Sequence, residues 1–250
     1  VVSKRRSNQI RIDQLLVERG LCDSRTKAQA LILAGEVYVN THRIDKPSTF
    51  VAPDCEPEVR RAQRFVSRGG DKLEGALTDL AFDVAGMVCA DVGASTGGFT
   101  DCLLQRGAKK VYAIDVGHGL LAYKLQNDPR VVVRDRTNAR HLQPSDFDEP
   151  IDLIVVDASF IGMTQLAEAL GRCVRVGGHV LAMIKPQFEV GKEAARAHRG
   201  VIKDPELRAE AINKASRELA TAGLELLRGC DSKTPGPKGN VEYFLLAVRR

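Results

Sequence analysis

Five short apolar runs fix what this chain can become: residues 88–92 (V-C-A-D-V), 111–115 (V-Y-A-I-D), 131–133 (V-V-V), 151–157 (I-D-L-I-V-V-D) and 179–185 (H-V-L-A-M-I-K). Strands apolar on both faces belong to a sheet covered on both sides, and the amphipathic stretches between them supply the covering helices. Leu73, Leu77 and Leu80 recur at helical spacing just ahead of the first run. The last two runs, 224–228 and 241–248, are separated by a loop rich in glycine and proline, which predicts an antiparallel terminal hairpin. The expected fold is α/β: a largely parallel, Rossmann-like sheet with helices on both faces.

At 250 residues the chain is long enough for one such domain and a small appendage. The stretch P-D-C-E-P-E-V-R-R-A-Q-R-F-V-S-R-G-G at 53–70 combines prolines, charge clusters and paired glycines, so the boundary is placed near Phe65, giving domains 1–64 and 65–250. Residues 1–68 hold 13 Lys and Arg against 8 Asp and Glu, while 69–250 hold 24 against 24. The whole positive excess is N-terminal, as expected if the small domain meets a polyanion such as RNA.

The six cysteines include no C-x-x-C and no Cys/His cluster with zinc spacing, so no metal is expected. The start V-V-S-K-R-R-S-N lacks the apolar segment of a signal peptide, and no run of about 18 apolar residues could span a bilayer. A reduced, cytoplasmic protein is expected.

In the leading region Ile12, Leu15 and Leu16 are spaced as on a helix that Gly20 stops. Ser24 can cap a second helix carrying Ala28, Leu31 and Ile32, and E-V-Y-V-N then alternates as a strand. The ordered features R-x-D-x-x-L, S-R-T-x-A-x-x-L-I, G-x-V-x-V-N and K-P over residues 10–58 resemble the small α+β RNA-binding domain named after ribosomal protein S-four. That resemblance implies RNA-backbone contacts from Arg11, Ser24, Arg25 and Lys27.

In parallel sheets ligands bind beyond the carboxyl ends of the strands. The first apolar run leads into D-V-G-A-S-T-G-G-F-T, from Asp91 to Thr100, a glycine-rich turn that opens a helix near Phe99. Gly93, Gly97 and Gly98 would let backbone approach a cofactor, and a valine at 97 would fill space the ligand needs. The spacing is not G-x-G-x-x-G, which disfavours a dinucleotide and hence a dehydrogenase. Asp115 ends the next strand, where a carboxylate can accept from ribose hydroxyls, and Asp135 is placed for the nucleobase side. Asp157 and Lys185 end two further strands, Lys72 opens the first large-domain helix, and Glu242 starts the last strand. Charges at buried strand ends are costly unless paired or solvated in a cleft.

Together, S-R-G-G-D-K, D-V-G-A-S-T-G-G-F-T, D-A-S-F-I, I-K-P-Q-F-E and G-N-V-E-Y-F resemble the TlyA family of ribosomal RNA methyltransferases, with a catalytic domain of FtsJ type. The resemblance implies a class I methyltransferase sheet, S-adenosylmethionine as donor and a ribose 2′-hydroxyl of ribosomal RNA as acceptor, with a cytidine of the large subunit expected. The donor would be held by Asp91, Gly93, Ser95, Thr96, Gly97, Gly98, Phe99, Asp115, Asp135 and Asp157. The family's Lys-Asp-Lys-Glu tetrad maps onto Lys72, Asp157, Lys185 and Glu242. A ribose hydroxyl is a poor nucleophile, so a site that shares or removes its proton is required, with Lys185 the candidate base.

Two departures from the commonest family wording fall on the adenosine side: His118 in V-G-H-G, and R-D-R-T-N-A-R at 134–140. Motifs lying close to both ends of the chain resemble the shorter members associated with large-subunit RNA. The competing expectations are a non-catalytic RNA-binding or ribosome-assembly protein and, because members carry haemolysin labels, a membrane-active cytolysin. The latter finds no spanning segment or strongly amphipathic basic helix in the sequence.

Overall fold

The computed structural model describes residues 9–60, 64–159, 161–236 and 238–250. The basic start at 1–8, residues 61–63 of the linker, Phe160 of D-A-S-F-I and Pro237 of the glycine-proline loop lie outside the described residues. The chain divides into two compact units, Val1–Gln63 and Arg64–Arg250.

The small unit runs β1 (Ile10–Arg11), α1 (Ile12–Glu18), α2 (Arg25–Leu33), β2 (Val37–Val39), β3 (His42–Arg43), β4 (Phe50–Val51) and β5 (Pro57–Val59). Its core is Ile12, Leu15, Leu16, Ala28, Ile32 and Val37; Leu31, expected to be buried, is only partly covered. The Ser24 hydroxyl accepts from the Lys27 amide at 3.3 Å and so caps α2. Gly20 and Gly35, at φ +68° and +74°, turn the chain out of the two helices.

The large unit continues with α3 (Arg68–Asp79), β6 (Val88–Val92), α4 (Gly98–Gln105), β7 (Lys110–Ile114), α5 (Tyr123–Gln126), β8 (Val131–Arg134) and β9 (Ile151–Val156). Then come α6 (Ala167–Cys173), β10 (Val174–Ile184), α7 (Pro186–Glu189), α8 (Lys192–Ala197), α9 (Pro205–Thr221), β11 (Leu224–Asp231) and β12 (Tyr243–Arg249). The seven strands lie in the order β11-β12-β10-β9-β6-β7-β8, parallel except for β12, which is antiparallel to both its neighbours. The chain runs outward from β6 to β8 and crosses back to β9, so the topological switch point lies between β6 and β9.

Successive residues of the apolar runs serve two cores. Cys89, Val111, Leu153, Val155 and Leu181 pack with Leu73, Leu77 and Leu103, whereas Ala90, Tyr112, Ile154, Val156 and Val180 pack with Leu166, Leu170, Ala215 and Leu219. This is why the strands carry no polar alternation. β10 begins five residues before the expected start because Val174 already pairs with Ile151; the ladder then breaks around Gly177 and resumes at His179.

Candidate active site

Three cavities open beyond the carboxyl ends of β6 and β9 and share one residue, Asp157. The first, of about 240 Å³, lies between the start of α3 and the glycine loop, with Ser67, Lys72, Gly93, Thr96 and Phe99 in its walls. A second, of about 360 Å³, is mostly apolar, bounded by Ile114, Val116, Leu120, Ile161 and Leu166, with Asp115, Thr137 and Asn138 as polar points. The third, of about 520 Å³, contains Lys72, Asp157, Lys185 and Glu242 together, with Ser159, Lys238 and Asn240. The tetrad thus converges on one cavity from α3, β9, β10 and the approach to β12.

The expected donor residues divide sharply. Gly93, Ser95, Thr96, Gly98, Phe99, Asp115 and Asp157 line the first two cavities. Asp91, Gly97 and Asp135 line none of the three. Asp91 is fully buried beneath the loop, where its Oδ2 accepts from the Thr100 amide at 2.9 Å and the Thr100 hydroxyl at 2.7 Å. Burial pushes its carboxyl up to about 7 despite those bonds, and its Oδ1 has no partner. Asp135 is committed to the loop opposite: the Gly119 amide donates to it at 2.8 Å and His118 Nδ1 lies 2.9 Å away. The Gly119 amide, with His118 adding to it, holds the Asp135 carboxyl below its usual range.

Gly97 faces protein, not ligand space. A Cβ there would collide with Leu125 and lie 2.7 Å from Leu121, and its φ of +98° is itself unfavourable for other residues. A Cβ on Gly98 would strike Ser67 and the Gly70 amide, so α3 and α4 touch through their first turns. Gly93 similarly abuts the Asp157 carbonyl, at 2.8 Å from a built Cβ. These glycines mainly let chain approach chain, fixing the loop against the elements that carry Lys72 and Asp157. Asp115 braces the same loop, accepting from the Ser95 amide at 2.8 Å and from Gly117 at 2.7 Å. A carboxylate retains further lone pairs for a ligand hydroxyl.

In the third cavity the charges form two ion pairs, Lys72 Nζ to Glu242 Oε2 at 2.6 Å and Lys185 Nζ to Asp157 Oδ1 at 2.5 Å. Lys72 and Glu242 are buried at 8% and 2% exposure, which only close pairing makes tolerable. Lys185 also donates to Ser159 Oγ at 2.8 Å. Buried Asn240 staples the wall, accepting from the Ile202 amide and donating to the Gly200 carbonyl, each at 2.8 Å. Glu189 Oε1 accepts from the Met163 amide at 2.8 Å and so anchors the end of the segment after Asp157; burial pushes its carboxyl up. Ser159, Glu189 and Asn240 fall within the quoted family motifs, and Thr137 and Asn138 within R-D-R-T-N-A-R, but nothing else in the sequence distinguishes them.

In the small unit, Arg11 and Arg25 converge on buried Asp13, at 2.9 Å and 3.1 Å, and Gln29 donates to the same oxygen. The Arg11 guanidinium, with help from Gln29 and Arg25, holds the Asp13 carboxyl well below the usual range. Lys27 pairs with Asp23 at 2.7 Å. Ser24 is engaged as the cap of α2, while Arg25 and Lys27 remain about half exposed, at 54% and 49% of their side chains.

Residues 65–249 match the model of the FtsJ-like methyltransferases. The chain belongs to that family. Residues 10–54 match the S4 domain. A relative from Mycobacterium tuberculosis named 16S/23S rRNA (cytidine-2′-O)-methyltransferase TlyA is 46% identical over 94% of this chain and 88% of its own length. Hemolysin A of Brachyspira hyodysenteriae is 39% identical over 94% and 98%. A solved structure of a candidate hemolysin from Streptococcus thermophilus superposes with a TM-score of 0.73 at 35% identity, covering 97% of this chain and 89% of that one. Among the described residues no helix is long and apolar enough to cross a membrane, and no group of three or more His, Cys, Asp or Glu could hold a metal ion.

Proposed function

We propose that this chain methylates the ribose 2′-hydroxyl of a cytidine in ribosomal RNA, in the large subunit first, with S-adenosylmethionine as donor. The observation that carries this reading is the meeting of two different kinds of cavity at Asp157: a mostly apolar chamber with isolated polar points, and a chamber holding both lysine–carboxylate pairs. The first two cavities suit the donor's polar amino-acid end and its flat apolar base, with Asp115 toward the ribose and Thr137 and Asn138 toward the base edge. S-adenosylmethionine, when bound, supplies an electrophilic methyl group. In this reading Asp157 borders donor and acceptor, and Lys185 Nζ takes the 2′-hydroxyl proton while Asp157 holds the amine. Lys72 and Glu242 form the opposite wall and orient the acceptor. Much of the acceleration comes from this alignment.

The division of labour assigns residues 1–64 to RNA capture, through Arg11, Arg25 and Lys27, with Ser24 shaping the start of α2, and residues 65–250 to methyl transfer. Ribosomal RNA as substrate also implies action in the cytoplasm. The test is incubation with methyl-labelled donor and unmodified ribosomal subunits, followed by mapping of 2′-O-methylated ribose. Transfer to a large-subunit cytidine is expected. Donor binding without transfer to either subunit would overturn the reading in favour of a ribosome-assembly factor.

A further inference from the structure

Lys185 Nζ donates one hydrogen bond, to Ser159 Oγ at 2.8 Å, and lies 2.5 Å from Asp157 Oδ1 in an ion pair without hydrogen-bond geometry. To accept a proton, the Lys185 ammonium of the ion pair first releases one proton to solvent in the cavity, leaving two N–H bonds and one lone pair in roughly tetrahedral directions. With one N–H held by Ser159, the lone pair is confined to the two remaining staggered positions. The Asp157 charge draws the second N–H toward itself and so favours the position in which the lone pair points away from the carboxylate. Asp157 is anchored through its amide, which donates to the Val92 carbonyl at 2.9 Å, and Ser159 follows two residues later. The Lys185 backbone is extended, at φ −107° and ψ 102°, as the following proline requires. The Phe188 ring, 6.0 Å from Nζ, occupies a further side of the amine.

We propose that Ser159 is a positioning residue for methyl transfer: its hydroxyl, together with Asp157, aims the Lys185 lone pair at the acceptor 2′-hydroxyl. The inference rests on Lys185 being the proton acceptor. As the O–H bond breaks, an N–H bond forms at Lys185, and the positive charge lost from the sulfonium reappears on the ammonium. That ammonium has three N–H bonds: Ser159 keeps one, the Asp157 charge draws another, and the third faces the new ether oxygen. Ser159 also borders both the apolar chamber and the acceptor chamber, so the residue that aims the base sits where the two substrates meet.

The experiment compares Ser159→Ala, Ser159→Cys and Ser159→Thr in the full-length protein, by single-turnover transfer to unmodified large subunits at saturating donor and RNA. The alanine variant should lose about tenfold to a hundredfold in rate, the scale of a misaligned reacting group, with calorimetric donor affinity and thermal midpoint near wild type. Threonine, which keeps the oxygen, should restore most of the rate, and cysteine, a weaker acceptor, should fall between. The solvent deuterium isotope effect should rise in the alanine variant as proton transfer becomes limiting. A near-wild-type rate for Ser159→Ala alongside an inactive Lys185→Ala overturns the role of Ser159 alone. A threonine variant as slow as alanine in a folded protein also overturns it. A near-wild-type Lys185→Ala removes the base and the proposal with it, whereas a wild-type protein that methylates neither subunit sinks the functional reading itself.

Discussion

On the proposed donor side of Asp157 the carboxylates are committed to the chain's own backbone, while on the proposed acceptor side they are paired with lysines. Asp91 receives the Thr100 amide from the first turn of α4, and Asp115 and Asp135 receive amides from the loops around the glycine turn. Asp157 and Glu242 instead hold Lys185 and Lys72. The donor side is therefore a shaped surface whose charges maintain loop geometry, and the acceptor side is a charged surface whose shape comes from other residues, such as Asn240. Substitutions on the two sides should fail differently: loss of fold or cavity shape on one, loss of chemistry on the other.

The largest contrast is expected from Lys185→Ala, which should lower single-turnover transfer by about 10²–10⁴-fold, the usual worth of a proton acceptor, with donor affinity nearly intact. A rate close to wild type in a folded variant would break the distinction at its centre. Glu242→Ala strands the buried Lys72 ammonium and should cost about 3–5 kcal/mol in urea unfolding. The double variant Lys72→Met, Glu242→Leu should recover much of that stability without recovering transfer, which separates the pair's structural cost from its chemical use.

On the donor side, Gly97→Val should destabilise by about 1–3 kcal/mol through overpacking against Leu121 and Leu125. Its folded fraction, measured by calorimetry well below the thermal midpoint, should still bind donor. Lost affinity with full stability would instead put the ligand against Gly97. Asp91 predicts a pH signature. Its folded carboxyl titrates near 7, above the ordinary 3.8, so the native state holds the proton that the unfolded chain gives up. Its contribution to stability is therefore complete below about pH 4 and is lost as pH rises toward 7, with a slope of at most about 1.4 kcal/mol per pH unit. Asp91→Asn should flatten the unfolding free energy over that window relative to wild type, and identical slopes would refute the assignment.

The smallest effect belongs to the other unit. Arg25→Gln with Lys27→Gln should weaken RNA binding and reduce the slope of log affinity against log salt by roughly 1 to 2, leaving donor binding unchanged. Asp13 keeps Arg11 and Gln29 in that variant, so folding should change little.

The strand plan was legible because an apolar run buried on both faces has few alternatives, and Asp115, Asp157 and Lys185 each follow directly on the last residue of the strand expected to carry them. The tetrad's convergence was legible for the same reason: charges that terminate buried strands need partners, and topology brings them to one edge. What sequence does not disclose is which oxygen is already spent. Asp91 and Asp115 both flank the glycine turn, yet one serves Thr100 inside the protein and the other lines a cavity. Nor can a glycine reveal whether it makes room for a ligand or for a leucine, as Gly97 illustrates. Ser159, Thr137 and Asn240 are short polar residues of a kind found in many loops, and only the folded chain shows which of them meets a cavity.

The placement of Glu242 has a consequence for the timing of synthesis. The strand it precedes, β12, inserts between β10 and β11, and its carboxylate neutralises Lys72, which was made 170 residues earlier. A growing chain therefore exposes its S4 domain and nearly all of its sheet before the proposed acceptor chamber has its fourth wall. Such a nascent polypeptide should not methylate the RNA of the ribosome producing it, and chains released just short of residue 242 should bind RNA yet transfer no methyl group.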